Sequence, residues 1–364
     1  MSIRITPISS GRDGMKDSTV PCGARGRCIG CTAKTIEIGI VNNMPDGALD
    51  STERQFLTLL DLASNGFVVH VTYYSLPGIR RSEAGQRHVS TFYSDVTKLW
   101  NRRLDGLIVT GTEPRSSSLE DEPYWASLQQ LIRWAEENTR SAIWSCLAAH
   151  AAVLELSGIR RQRMAQKLFG VFDCSRAVDH DLLSGLPANA LMPHSRWNGL
   201  SETELTDCGY QVLTRSTRAG VDSFIRSEKS LFLFLQGHPE YEANTLLLEY
   251  RRDVGRYIRN ETNVYPGIPN DYFDQESQVV LTALANSAAL DRNASVLTDF
   301  PTALVERNLK NRWRSTAVPL YTNWLHYLWE AKSAQPQTVH PVHAFQNAVE
   351  LMPARRIAAS AGGM

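Results

Sequence analysis

Apolar runs of strand length alternate with amphipathic stretches of helix length, and this alternation constrains the chain more than any other feature of it. Residues 36–41 (IEIGIV), 67–74 (FVVHVTYY), 104–111 (LDGLIVTG), 141–145 (SAIWS) and 231–236 (LFLFLQ) each read as a strand. After the first strand a helix opens near Ser51, with Ser51 or Asp50 as its cap. Residues 125–137 have a helical period, 147–156 form a helix of small residues, and 244–252 follow the last strand as another helix. Strands separated by helices pair in parallel, with the connecting helices covering both faces. The expected fold is therefore α/β, a doubly wound and mostly parallel sheet with helices on both faces.

The length of 364 residues suits one large domain or two moderate ones, and 43% hydrophobic with 21% charged residues is enough to cover such a sheet. Lys+Arg and Asp+Glu balance at 38 each, which argues against nucleic acid or a membrane surface as partner. No apolar run reaches the roughly 18 residues of a membrane span. The first residues lack the apolar stretch of a secretory signal, so a cytoplasmic location is expected. Six cysteines in a chain this long do not suggest a disulfide scaffold. Residues 1–34 are rich in Gly, Ser, Arg and Lys, and 335–364 are polar with many Pro, His and Ala. Both read as flexible extensions of one domain at 35–334. Cys28 and Cys31 have metal-ligand spacing, but no second pair or His follows nearby, and zinc normally takes four ligands. No metal is expected; with Cys22 they read as exposed thiols. Cys174, Cys208 and most tryptophans read as core.

Cys146 is the first candidate for chemistry. It stands between the strand at 141–145 and the helix at 147–156. A nucleophile on such a turn is exposed at the C-terminal edge of the sheet, where the helix N-terminus favours a thiolate. Ligand sites of open α/β sheets lie at this edge. A buried Cys at a strand end is the plainer reading of the same pattern. His238 also sits just past an apolar strand, so a parallel sheet brings it to the same edge. Glu240, two residues on, can orient the imidazole. The three are the nucleophile, base and orienter of covalent acyl transfer. Taken singly, His238 also reads as a surface residue and Glu240 as a helix-N-terminal acid. Three such residues at one edge are harder to dismiss.

More of the chain then falls into a pattern. It contains Asn42-x-Met44-Pro45, Thr52-Glu53-x-Gln55-Phe56, Phe92-Tyr93, DGLIVTG at 105–111 and the segment with Asp121 and Tyr124-Trp125. Lys167-Leu168-x-Gly170-Val171, Pro193-His194-Ser195-Arg196 and Gly237-His238-Pro239-Glu240-Tyr241 follow. Trp313-x-Ser315 and Asn323-Trp324-Leu325-x-Tyr327 complete the set. In this order, over about residues 35–330, the blocks resemble the homoserine O-succinyltransferase (homoserine O-acyltransferase) family. The resemblance implies a class I glutamine amidotransferase-like fold. It implies ping-pong transfer of an acyl group from coenzyme A to the hydroxyl of L-homoserine, in methionine biosynthesis. Cys146 would carry the group as a thioester, His238 would be the base for the thiol and then for the hydroxyl, and Glu240 would orient it. Lys167 and Ser195 match substrate-contacting residues. Arg252 matches the residue that binds the amino acid's carboxylate, work suited to a guanidinium fork. Beside Arg251 it also reads as a solvated helix residue. The N–H groups of Leu147 and of the Gly111-Thr112 turn are candidate oxyanion donors. Acyl-CoA is then a substrate, and neither a cofactor nor a metal is implied. The 313–329 segment is expected to pack on the main body and to contribute to a homodimer.

The chain departs from the family pattern in places. The loop after Pro45 is two residues longer, Leu147 stands where Trp is frequent, and His150 replaces a common Gln. Arg115 falls at the acyl-specificity position, where Gly favours succinyl and Glu favours acetyl. Arg fits neither, but it can pair with the free carboxylate of succinyl-CoA, while acetyl offers it no partner. The expectation is succinyl, with acetyl-CoA as the alternative donor and serine as an alternative acceptor. A glutamine amide transferase and a non-catalytic relative are the remaining readings. If His238 works as a neutral base, activity should fall as pH drops through about 6.5.

Overall fold

The computed structural model describes residues 3–5 and 34–334, residue 294 excepted. Cys22, Cys28, Cys31 and the 335–364 tail lie outside the described residues. The strands are β1 (Ile3–Ile5), β2 (Lys34–Val41), β3 (Phe67–Tyr74), β4 (Leu104–Val109), β5 (Thr139–Ser145), β6 (Gln162–Arg176), β7 (Ala190–Gly199), β8 (Gln211–Ser216), β9 (Gly220–Ser227) and β10 (Leu231–Leu235). They form one ten-stranded sheet in the order β1-β3-β2-β4-β5-β10-β9-β8-β6-β7. The run from β1 to β10 is parallel throughout. Beyond β10 the sheet turns antiparallel. The strands at 36–41, 67–74, 104–111, 141–145 and 231–236 are all present and adjacent, as the alternation requires. The antiparallel half was not expected, and Ile3–Ile5 adds an edge strand inside the stretch read as an extension.

The helices are α1 (Leu49–Ala63), α2 (Glu83–Phe92), α3 (Trp125–Asn138), α4 (Leu147–Ser157), α5 (Glu202–Asp207), α6 (Thr245–Ile258), α7 (Gln275–Leu290), α8 (Ser295–Thr298), α9 (Thr302–Glu306) and α10 (Arg314–Ala334). Successive side chains of a strand point to opposite faces, and here both faces are apolar. On β10, Phe232 and Phe234 join the core under α3 and α4, while Leu231, Leu233 and Leu235 join the one under α1 and α10. Ala142 and Trp144 of β5 face the first of these layers and Ile143 the second. A third cluster joins α6 and α7 to Phe169 and Val171 of β6. No helix among the described residues is long and apolar enough to cross a membrane.

Two local expectations need correction. α1 starts at Leu49, not Ser51, with neither Asp50 nor Ser51 as its cap. A 3-10 turn, Asp46–Ala48, runs straight into it. That turn is pinned by Asp46, whose carboxylate accepts from the Ser82 amide at 2.6 Å and from Arg81 at 3.2 Å. Cys208 is exposed rather than core, because it ends the short α5, which buries only Leu205. Cys174 is buried, as are Trp134, Trp144, Trp313 and Trp324, whereas Trp197 is exposed.

The 313–329 segment does pack on the main body, as α10. Trp324 is fully buried, and its indole N–H donates to Ser141 Oγ at 2.9 Å. Gly106 on β4 makes this close approach possible, since a Cβ there would lie 2.8 Å from both Trp324 and Leu328 side-chain atoms. Trp324→Ala is expected to cost about 3–5 kcal/mol by opening a cavity under the sheet. Urea titration would show it as a lowered midpoint at unchanged slope. An unchanged midpoint would mean that α10 does not help hold the sheet.

Candidate active site

The parallel pairing of β5 with β10 sets the site. Ser145 is in register with Leu235, so the residues that follow leave the sheet side by side. Cys146 turns the chain from β5 into α4 with φ 52° and ψ −109°. A non-glycine residue is strained there by about 1–3 kcal/mol, and such strain gathers at functional turns. Its own N–H donates to the Leu235 carbonyl at 2.7 Å. The Cys146 amide is thereby committed to the sheet.

His238 lies three residues past β10, with its N–H held by the Pro193 carbonyl at 2.8 Å. Cys146 lies on one side of its ring, close enough to raise the pKa of the imidazole. On the other, Nδ1 meets Glu240 Oε1 at 2.9 Å. The structure thus brings the three expected residues together. Tyr241 stacks on the imidazole, with ring centroids 4.3 Å apart. Burial opposes a charge on His238, but the neighbouring Cys146 and Glu240 more than offset it, and the pKa of the imidazole lies well above its ordinary value. The expectation of a neutral base with a limb near 6.5 is therefore corrected for the free enzyme.

His150 explains itself here. It is buried and its Nε2–H donates to Gln236 Oε1, 2.8 Å away, while Gln236 Nε2 donates to the Val221 carbonyl at 2.6 Å. Burial pushes its pKa down to about 3 despite the Gln236 contact, so it stays neutral and fixes the end of β10.

The turn after β4 closes the other side. Thr110 Oγ1 accepts from the Asn43 amide at 2.9 Å, and Asn43 Oδ1 accepts from the Leu76 amide at 3.0 Å. A Cβ at Gly111 would lie 2.7 Å from Leu147 Cβ and 3.1 Å from Leu147 N. Only glycine lets this turn rest on the first residue of α4. The expected oxyanion donors, Leu147 and the turn with Thr112, are thus packed together around a small cavity.

Lys167, Ser195 and Arg252 converge on one face of α6. Ser195 Oγ donates to Glu249 Oε2. Lys167 Nζ is 2.8 Å from Asp253 and 3.6 Å from Glu249, and it sits over the Phe169 ring. Arg252 donates to Asp253 through Nε and Nη2 at 3.0 and 2.9 Å, and half of its side chain is exposed. Tyr241 OH donates to Glu249 Oε1 at 2.6 Å, which connects this face to the imidazole. Arg256, one turn on, pairs with Glu113 at 2.8 Å and joins α6 to the turn after β4. Glu249, Asp253 and Tyr241 were not singled out from sequence, although the spacing of 249, 252, 253 and 256 marks one helix face. Arg115 is exposed; its backbone N–H, not its guanidinium, is fixed, donating to Glu122 at 2.6 Å.

The charge balance can be tested directly. Cys146→Ala removes the strongest influence that raises the pKa of His238, so its ring should titrate at lower pH in the variant. A raised pKa contributes stability that is full below the unfolded value near about 6.5 and is lost as pH rises through the folded value. The variant should therefore show a smaller alkaline loss from this group. Histidine NMR titration of both proteins reads the shift, and superimposable curves would refute the assigned coupling.

The family model and the sequence relatives name one family. A family model described as homoserine O-succinyltransferase matches residues 3–334. The chain is 46% identical over 293 residues to a homoserine O-succinyltransferase of Rhodopseudomonas palustris, covering 80% of this chain and 88% of the relative. It is 44% identical over 294 residues to one from Bradyrhizobium japonicum, covering 80% and 90%. Among solved structures it is similar to a glutamine amidotransferase from Methylobacillus flagellatus, with TM-score 0.47 and 13% identity, covering 82% of this chain and 96% of that one.

Proposed function

The chain belongs to the homoserine O-succinyltransferase family and is an acyltransferase, and from that premise we propose that it moves succinyl from succinyl-CoA to the hydroxyl of L-homoserine, in methionine biosynthesis, through a thioester on Cys146. The contact of Cys146 with His238, itself held by Glu240, is the observation that carries this reading. Acyl-CoA is a substrate in it, and no cofactor takes part.

In the first half-reaction the Cys146 thiolate attacks the thioester carbonyl. The oxyanion is received by the Leu147 N–H and the Gly111-Thr112 turn. The C–S bond to CoA breaks, and the departing CoA sulfur takes the proton from the His238 imidazolium. Acylation removes the negative charge of Cys146, the largest influence raising the pKa of His238. The ring's pKa then falls, which suits a neutral base for the second half. His238 takes the proton of the homoserine hydroxyl as its oxygen attacks the thioester. The Cys146 thiolate leaves, and the thiolate–imidazolium pair is restored. Arg252 holds the amino acid's carboxylate, with Lys167 and Ser195 contacting substrate beside it.

Intact-protein mass spectrometry with succinyl-CoA should show one acyl adduct on the wild type and none on Cys146→Ala. No adduct with either succinyl-CoA or acetyl-CoA would end the proposal. Glu240→Gln should lower kcat by roughly 10²–10⁴-fold while the fold persists. Steady-state kinetics with both CoA donors against homoserine and serine reads this loss and identifies donor and acceptor together.

The pH dependence should differ between the half-reactions. With homoserine varied, kcat/KM should fall as pH drops through the His238 value of the acyl-enzyme, which lies below that of the free enzyme. Stopped-flow deacylation from pH 5 to 9 reads it, and a flat profile would remove His238 as the base.

A further inference from the structure

Two buried polar atoms near the N-terminal turn of α4 have no use in the steps above. Tyr124, which caps α3, lines the small cavity together with Thr110, Gly111, Thr112 and Leu147. Its hydroxyl is buried and has no hydrogen-bond partner among the described residues. Arg161, between α4 and β6, also ends in a buried nitrogen, Nη1, without a partner among them. The two segments are fastened together, since the adjacent Arg160 pairs with Glu120 at 2.9 Å. Arg161 lies within electrostatic range of Tyr124, Glu122 and Cys146, with Arg163 as a second positive charge nearby. Glu122 Oε1 is occupied by the amides of Arg115 and Ser116 at 2.6 and 2.7 Å.

Buried donors without partners are uncommon, because stripping them of water is costly. A guanidinium nitrogen within electrostatic range of Cys146 and a phenol on the cavity that Leu147 lines, both donors, ask for an anionic acceptor. Burial first, and then the charge of Glu122, raises the pKa of Tyr124, so the phenol stays a donor. Arg115, placed by sequence at the acyl-specificity position, is exposed.

We propose that Arg161, with the Tyr124 hydroxyl, receives the distal carboxylate of a dicarboxylic acyl group on Cys146, and so selects succinyl over uncharged donors. This rests on the thioester reading above and adds to it the residues that read the donor. A carboxylate suits the site because guanidinium donates to it in a charge-assisted, directional way. Arg161 is a specificity residue here and takes no part in bond making.

The test compares succinyl-CoA with its neutral isostere succinamoyl-CoA, by rate of Cys146 acylation. Wild type should prefer the acid. In Arg161→Met the preference, taken as a ratio of kcat/KM values, should drop about 100-fold. Tyr124→Phe should lower it about 10-fold, and Arg161→Lys should keep part of it. The ratio is read within each variant, so a general loss of fold or activity cancels. Should Arg161→Met fail to fold, the ratios of Tyr124→Phe and Arg161→Lys decide. An unchanged ratio in the variants, or a wild type that prefers the neutral donor, overturns the assignment and leaves the thioester reading standing. A wild type that forms no thioester with any donor overturns both.

Discussion

The register between β5 and β10 is the constraint on which the site depends. Because Ser145 lies beside Leu235, the chain must deliver Cys146 and the 236–240 turn to the same place. Side-chain chemistry then only has to finish what backbone pairing has arranged. The bond from Cys146 N to Leu235 O locks the two exits together and holds Cys146 in a conformation that L-residues avoid. Two hydrophobic layers support this edge from opposite sides, so the turn rests on a rigid platform.

Electrostatics adds the second level. The imidazole, the sulfur and Glu240 form a unit in which Cys146 and Glu240 raise the pKa of the ring against its burial. Around it the protein places two sorts of neighbour. Neutral buried groups, such as His150 with Gln236, fix positions without adding charge. Charged ones sit farther out, with Glu249 and Asp253 balancing Lys167 and Arg252 on α6.

The parallel half of the fold was legible because its strands are buried on both faces and read as unbroken apolar runs. Phe232 and Leu233 need no partner pattern to be recognised. The antiparallel half was not, because β6 is long and largely polar at its start, with exposed residues such as Gln162 and Arg163. Its order comes from pairing with β7 and from aromatic contacts such as Arg163 over Trp197, which local periodicity does not carry. The cluster of Cys146, His238 and Glu240 was legible because each member follows a strand or its turn. Arg161 was not, since an arginine in a short connection looks like any solvated residue until the chain folds over its tip. Asp46 was missed likewise: its pull on Ser82 and Arg81 acts across a gap in sequence and moves the start of α1.

The bridge from Arg256 to Glu113 spans two rims that no strand or helix connects, one on α6 and one on the turn resting against Leu147. Both side chains are partly exposed, so the attraction is worth at most about 1 kcal/mol. Dissolved ions weaken a pair of this kind, while the enclosed groups around Cys146 feel them far less. Ionic strength therefore acts on the clasp between these rims and largely spares the chemistry beneath it.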